Sequence, residues 1–188
     1  GNWGGKRSTI VNSDILVAAT APEKAVFRTD STWQHLFFEG SFSGDVNSSV
    51  RFLFTNANSD MNLDSDCSAY NGLIEVSATS DGGTNLADFR IGAAKLPGTL
   101  RLGSVTGKTG GTVKLTATNG LEVGTLVVNR PTTLSINVDS ATYEADRDII
   151  KILDSLEMNS TVTVDVAFTG GEPVMNNLDA AFIPVMRW

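Results

Sequence analysis

Asp60-Met61-Asn62-Leu63-Asp64-Ser65-Asp66 sets four oxygen-bearing side chains at alternate positions, a spacing with which a loop can wrap a hard cation such as calcium. The match is incomplete. Ser65 stands where a helix-loop-helix calcium site needs glycine, and Asn71 where it needs glutamate. Asp60, Asn62, Asp64 and Asp66 are therefore a candidate calcium set inside a long polar loop, Asn56–Asn71. The competing reading is a solvated loop with Asx turns. No other cofactor is expected.

Other chemistry finds less footing. His35 is the only histidine, which excludes histidine-rich metal sites. It lies among Trp33, Leu36, Phe37 and Phe38, where a hydrogen-bonded strand histidine is the default. Gly40-Ser41-Phe42-Ser43-Gly44 has phenylalanine where a nucleophile elbow needs serine. Gly103-Ser104-Val105-Thr106-Gly107-Lys108-Thr109 is one residue short of the phosphate-loop spacing, and a strand follows it instead of a helix. Asn47-Ser48-Ser49 and Asn159-Ser160-Thr161 match the glycosylation sequon, as chance allows in a chain rich in serine and threonine. No catalytic residue is assigned, and a hydrolase ranks last among the functions considered.

The elements that would position these residues are mostly strands. Ile15–Ala19, Lys24–Arg28, Trp33–Phe42, Val50–Phe54, Ile74–Ala78, Leu86–Ile91, Thr99–Val105, Thr112–Thr118, Leu121–Val128, Thr132–Asp139 and Thr161–Phe168 are short apolar or alternating runs. Turn signals punctuate them at roughly eight-to-twelve-residue spacing. Asn119-Gly120 between two such runs predicts a tight hairpin. Tyr143–Met158 places Ala145, Ile149, Ile152, Leu153 and Leu156 on one helical face, with Glu144, Asp146 and Asp148 near its start. No internal repeat stands out. The expected fold is mainly β: an antiparallel sandwich or flattened barrel of roughly eight to ten strands with one helix over 143–158. Residues 1–12 are read as an arm and 13–188 as one domain, closed by an apolar segment over 180–188.

Charge and composition narrow the partners. The 188 residues carry 14 basic and 21 acidic side chains, a net charge of −7. Lys6-Arg7 is the one basic pair, so direct nucleic-acid binding is not expected. The longest apolar run, Ile15–Ala19, is far too short to span a membrane, and no signal peptide is read. Cys67 is alone, which rules out a disulfide within the chain.

Trp3 on a glycine-rich arm, and Phe182, Ile183, Val185 and Trp188 at the other end, are too apolar to be left in water. They are the candidate assembly contacts. In general profile the chain resembles virion structural proteins such as tail-tube and minor capsid components. That resemblance implies a non-enzymatic virion part (tail tube, minor capsid or decoration protein) whose partners are copies of itself and neighbouring structural proteins. The alternative is an extracellular carbohydrate-binding or adhesive β-sandwich that uses the Asn56–Asn71 loop with calcium. A small-molecule substrate is not expected in the first case.

Overall fold

The computed structural model describes residues 7–18, 25–29, 34–55, 59–78, 88–92, 95–103, 111–116, 120–139, 150–169 and 186–187. Every strand pairing among them is parallel, and the chain winds as a β-solenoid. Sheet 1 runs β1 (Arg7–Val11), β4 (Gln34–Phe38), β7 (Asp60–Leu63), β10 (Asp88–Ile91), β12 (Gly111–Thr116), β14 (Thr132–Asp139), β16 (Val162–Thr169). Sheet 2 runs β3 (Ala25–Thr29), β6 (Ser49–Phe54), β9 (Leu73–Ala78), β11 (Lys95–Leu102), β13 (Leu121–Val128), β15 (Ile150–Met158), β17 (Met186–Arg187). A short sheet 3 of β2 (Ile15–Leu16), β5 (Ser41–Gly44) and β8 (Asp66–Tyr70) completes the first three coils.

This overturns the antiparallel sandwich. Period-two alternation says only that one face of a strand is buried and the other wet, and a solenoid strand satisfies it equally well. What differs is the partner. Each strand pairs with one a full coil away, so the turns between strands are corners leading to another sheet. Gly120 does adopt a left-handed backbone, with φ of 65°, but β12 and β13 on either side of that turn belong to different sheets. It is a corner, where a hairpin was expected. Trp33–Phe42 likewise divides at a corner, between β4 in sheet 1 and β5 in sheet 3, and Trp33 lies outside the described residues.

The coil repeat, not evident by inspection of the sequence, is irregular in length. Along sheet 1 the partners Ser8, His35, Asp60, Asp88, Thr112, Thr133 and Thr163 are separated by 27, 25, 28, 24, 21 and 30 residues. A search for a fixed period misses such a series.

The expected helix is also corrected. Ile150–Met158 is a strand, and residues 140–149 lie outside the described residues. Ile150 and Ile152 point inward and are buried, while Lys151 stands beside Glu122 on the outside. Between the pairs Val123–Ile152 and Thr125–Ser155, β13 contributes one residue and β15 contributes two. The bulge leaves Ile150, Ile152, Leu156 and Met158 in one phase of β15 and shifts the phase of β13 instead, from Val123 to Leu126. Leu153 and Asp154 interrupt the apolar run, so the step from Ile152 to Leu156 imitates a helical stripe. Leu153, the extra residue's neighbour, is left 52% exposed.

Inward residues stack coil upon coil into a continuous core. Leu36, Met61, Phe89 and Leu134 share one column of sheet 1. Val50, Ile74, Leu100 and Leu126 share one of sheet 2. The early coils are filled with aromatics: Phe27 and Phe38 meet edge to face at 4.8 Å, and Phe52 and Phe89 lie 5.0 Å apart. Offset and edge contacts of this kind add about 1 kcal/mol each beyond their buried area.

Stacking in register also dictates the outer columns. Coils are about 4.8 Å apart, so like charges in consecutive coils would repel. Two outer columns alternate them, while elsewhere the register pairs Asp60 with Asp88, Arg90 with Lys114 and Lys151 with Arg187. Arg51, Glu75 and Arg101 form one column, and Lys95, Glu122 and Lys151 another. Three glycines obey a different constraint. A side chain on Gly98 would meet the Gly72 carbonyl oxygen at 2.2 Å, and one on Gly124 would meet the Pro97 carbonyl oxygen at 2.0 Å. The three glycines 72, 98 and 124 stand where successive backbones nearly touch.

Candidate functional site

The expected polar loop over 56–71 is, from Asp60 onward, the two strands β7 and β8 with a corner between them. Its four oxygen-bearing residues are accordingly divided. Asp60 and Asn62 stand on the outer face of sheet 1, Asp64 is exposed at the corner, and Asp66 begins sheet 3. Asp66 accepts the Ser68 backbone N–H at 3.0 Å, an Asx turn that holds its carboxyl below the usual range. Asp64 lies over Gly92, where an added methyl group would meet its Oδ1 at 2.2 Å. Among the described residues no three His, Cys, Asp or Glu side chains converge on one point.

Asp60 is occupied otherwise. Its Oδ1 hydrogen-bonds His35 Nδ1, and its Oδ2 lies 3.8 Å from Arg90 Nη2. These residues come from β4, β7 and β10, so one carboxylate ties three successive coils together. A carboxylate on Nδ1 is also how a general-base histidine is oriented, which leaves Nε2 as the working atom. Here Nε2 is buried, and no hydroxyl or thiol bonds to it. Beside it Asn62 is 3% exposed, with a buried Nδ2 that lacks a partner. The arrangement is the oriented half of a proton relay, closed to solvent.

On sheet 2, Glu75 is only 1% exposed although it faces outward. Arg51 Nε donates to its Oε1 at 2.6 Å, and Arg101 Nη1 to its Oε2 at 3.5 Å. Further along, Asn159 Nδ2 donates to Asn129 Oδ1 at 3.0 Å, one coil to the next, at a position first read as a helix end. None of these ties was found from the sequence. The signal was there: Arg51, Glu75 and Arg101 are 24 and 26 residues apart, and Gly72, Gly98 and Gly124 are 26 and 26 apart.

A void of about 10 Å³ bounded by Leu100, Leu102, Val123, Leu126 and Leu134 is at most the size of one water.

The ends of the solenoid differ from its middle. Among the described residues the large exposed apolar side chains are Ile10, Leu16, Val26, Val46, Leu153, Met158 and Val164. All but Val46 belong to the first coil or to β15 and β16. Val164 continues the inward column of Leu36, Met61, Phe89 and Leu134, yet it is 45% exposed. Met158 continues that of Leu102 and Val128 and is 48% exposed. The core column runs out into solvent. At the other end of sheet 1, Thr9 occupies the same inward column and is exposed too. Trp3, Phe182, Ile183, Val185 and Trp188 lie outside the described residues. No helix among the described residues is long and apolar enough to cross a membrane.

Comparison with protein-family models, with curated proteins and with solved structures gives no match.

Proposed function

We propose that the protein is a non-enzymatic structural building block that self-assembles, a section of a rod whose end coils seek further coils. The observation that carries this reading is the inward column of sheet 1 left uncovered at Val164 and Thr9. An edge strand with free backbone groups and bare apolar side chains is a template for strand addition. Solenoid coils bury their hydrophobic face only against a neighbouring coil.

The setting proposed first is a virion. The fold removes one ground for it, since the resemblance to tail-tube and minor capsid proteins invoked a sandwich with a helix. What supports it now is the self-association device alone. An extracellular adhesive rod uses the same device. Its calcium-dependent form has less support, because Asp60 is engaged by His35 and Arg90 and Asp66 lies on another sheet.

Sedimentation velocity across a wide concentration range, with negative-stain microscopy of the same samples, tests the proposal. Species that grow with concentration into elongated particles are expected. A monomer at every concentration overturns it.

A further inference from the structure

We infer that the assembling copies join head to tail, with β1 of one copy adding in parallel to β16 of the next and continuing sheet 1. This rests on the self-assembly reading above and names its geometry. The partner is a second copy of this chain.

Three observations converge on that polarity. First, β1 and β16 are the two edge strands of the same sheet, and both are bare. Ser8, Thr9 and Ile10 are exposed, as are Thr163, Val164, Asp165 and Ala167. The edge of sheet 2 at the same end is better covered on its inward side, with Thr29 buried and Ala25 and Phe27 half-buried, although Val26 is 49% exposed. Second, the inward columns match. Thr9 begins the inward column that Val164 ends, so a copy stacked in register sets Thr9 over Val164. The seam is then one more rung of a ladder that the molecule already contains.

Third, the charges of the two ends are opposite. Strands β1 and β3 carry Arg7 and Arg28 and no acidic residue. Strands β15, β16 and β17 carry the three acidic residues Asp154, Glu157 and Asp165 against Lys151 and Arg187, a net negative charge. Joining unlike ends brings basic against acidic edges, whereas joining two tails would set acidic edges face to face. Complementary potentials of this kind select the partner surface and suppress the wrong one. A head-to-tail contact uses two different surfaces and does not close on itself, so it propagates into a filament.

Two end-blocked forms of the full chain decide the matter: Thr9→Arg at the head and Val164→Arg at the tail. Both positions are exposed, and thermal melts of each variant confirm folding. Each alone is expected to stay monomeric in sedimentation velocity. Mixed in equal amounts, they are expected to give a dimer and nothing larger, since one intact tail meets one intact head. Dimers of Thr9→Arg alone mean tail-to-tail joining, and dimers of Val164→Arg alone mean head-to-head joining; either overturns the inference while self-assembly stands. Should Val164→Arg fail to fold, Asp165→Arg replaces it. That variant reverses the charge set over Ile10 in the proposed register and adds a basic residue to the tail edge, so association is expected to weaken at least about tenfold, and unchanged association would count against the inference. Monomeric wild-type protein instead removes the self-assembly reading on which the inference depends.

Discussion

Single residues in this molecule act across coils. Glu75 is the clearest case: a carboxylate 1% exposed, held by guanidinium groups from the coils before and after. Its arginines are 29% and 28% exposed and keep some water, so the burden of desolvation falls on the glutamate. Arg51→Met should therefore lower stability by about 3 kcal/mol, because it removes the shorter of the two guanidinium contacts to a buried charge. Urea unfolding of this variant measures it. Replacing Glu75 and both arginines together with apolar residues should cost much less. Cys67 is a second case. Burial, with Asp66 nearby, pushes its thiol up to about 12 from an ordinary 9.0. The raised value stabilises the fold fully below pH 9.0, and the contribution is lost as the pH climbs through 9.0 toward 12. Cys67→Ala should flatten that alkaline decline in denaturation curves, and iodoacetamide should label native Cys67 far more slowly than the unfolded chain. Asp14 and Asp66 act with the opposite sign. The N–H groups of Ser41 and Ser68 hold their carboxyls below 3.8, so their small contribution is present at neutral pH and lost in acid.

Elements show where reading by periodicity succeeds and where it fails. Leu121–Val128 and Thr132–Asp139 are strands with the limits expected of them. Ile150–Met158 was expected to be helical because exposed Leu153 and Asp154, at a bulge against β13, interrupt the alternation of Ile150, Ile152, Leu156 and Met158. Nothing local marks that bulge. It compensates for the extra length of β15 against β13, a relation between residues some 30 positions apart (Thr125 and Ser155). The glycines at 72, 98 and 124 make the same point from the other side. Gly98 needs to be glycine because the Gly72 carbonyl lies where its side chain would go. Gly98→Ala should cost at least about 2 kcal/mol, since the obstruction is backbone that moves only with its coil. Thermal melting of that variant is the check.

The whole molecule is a stack in which each coil is supported chiefly by its neighbours, and stability should grade from the middle outward. Amide exchange should be slowest in β6, β9, β11 and β13 and fastest in β1 and β16. The same gradient should appear in truncations: Phe89→Ala in a central coil should cost about 4 kcal/mol, and Val164→Ala at the bare end under about 1 kcal/mol. Denaturant melts read both. If copies join through those ends, exchange at β1 and β16 should slow as concentration rises, while the central strands stay unchanged.

Composition and alternation by themselves determined that this is an acidic, strand-built protein with about the right strands in about the right places. They also pointed to self-association, through apolar ends. The reason is that burial of one strand face is written locally, in every second residue. Which strand lies beside which is not written locally. A parallel solenoid and an antiparallel sandwich need the same alternation, and they differ in whether the chain turns back or winds on. Only the tertiary structure decided that, by placing Arg51 against Glu75, Asn129 against Asn159 and Gly72 against Gly98, one coil apart. It also decided the fate of Asp60, which the spacing of its neighbours offered to a metal and the fold gave to His35 and Arg90.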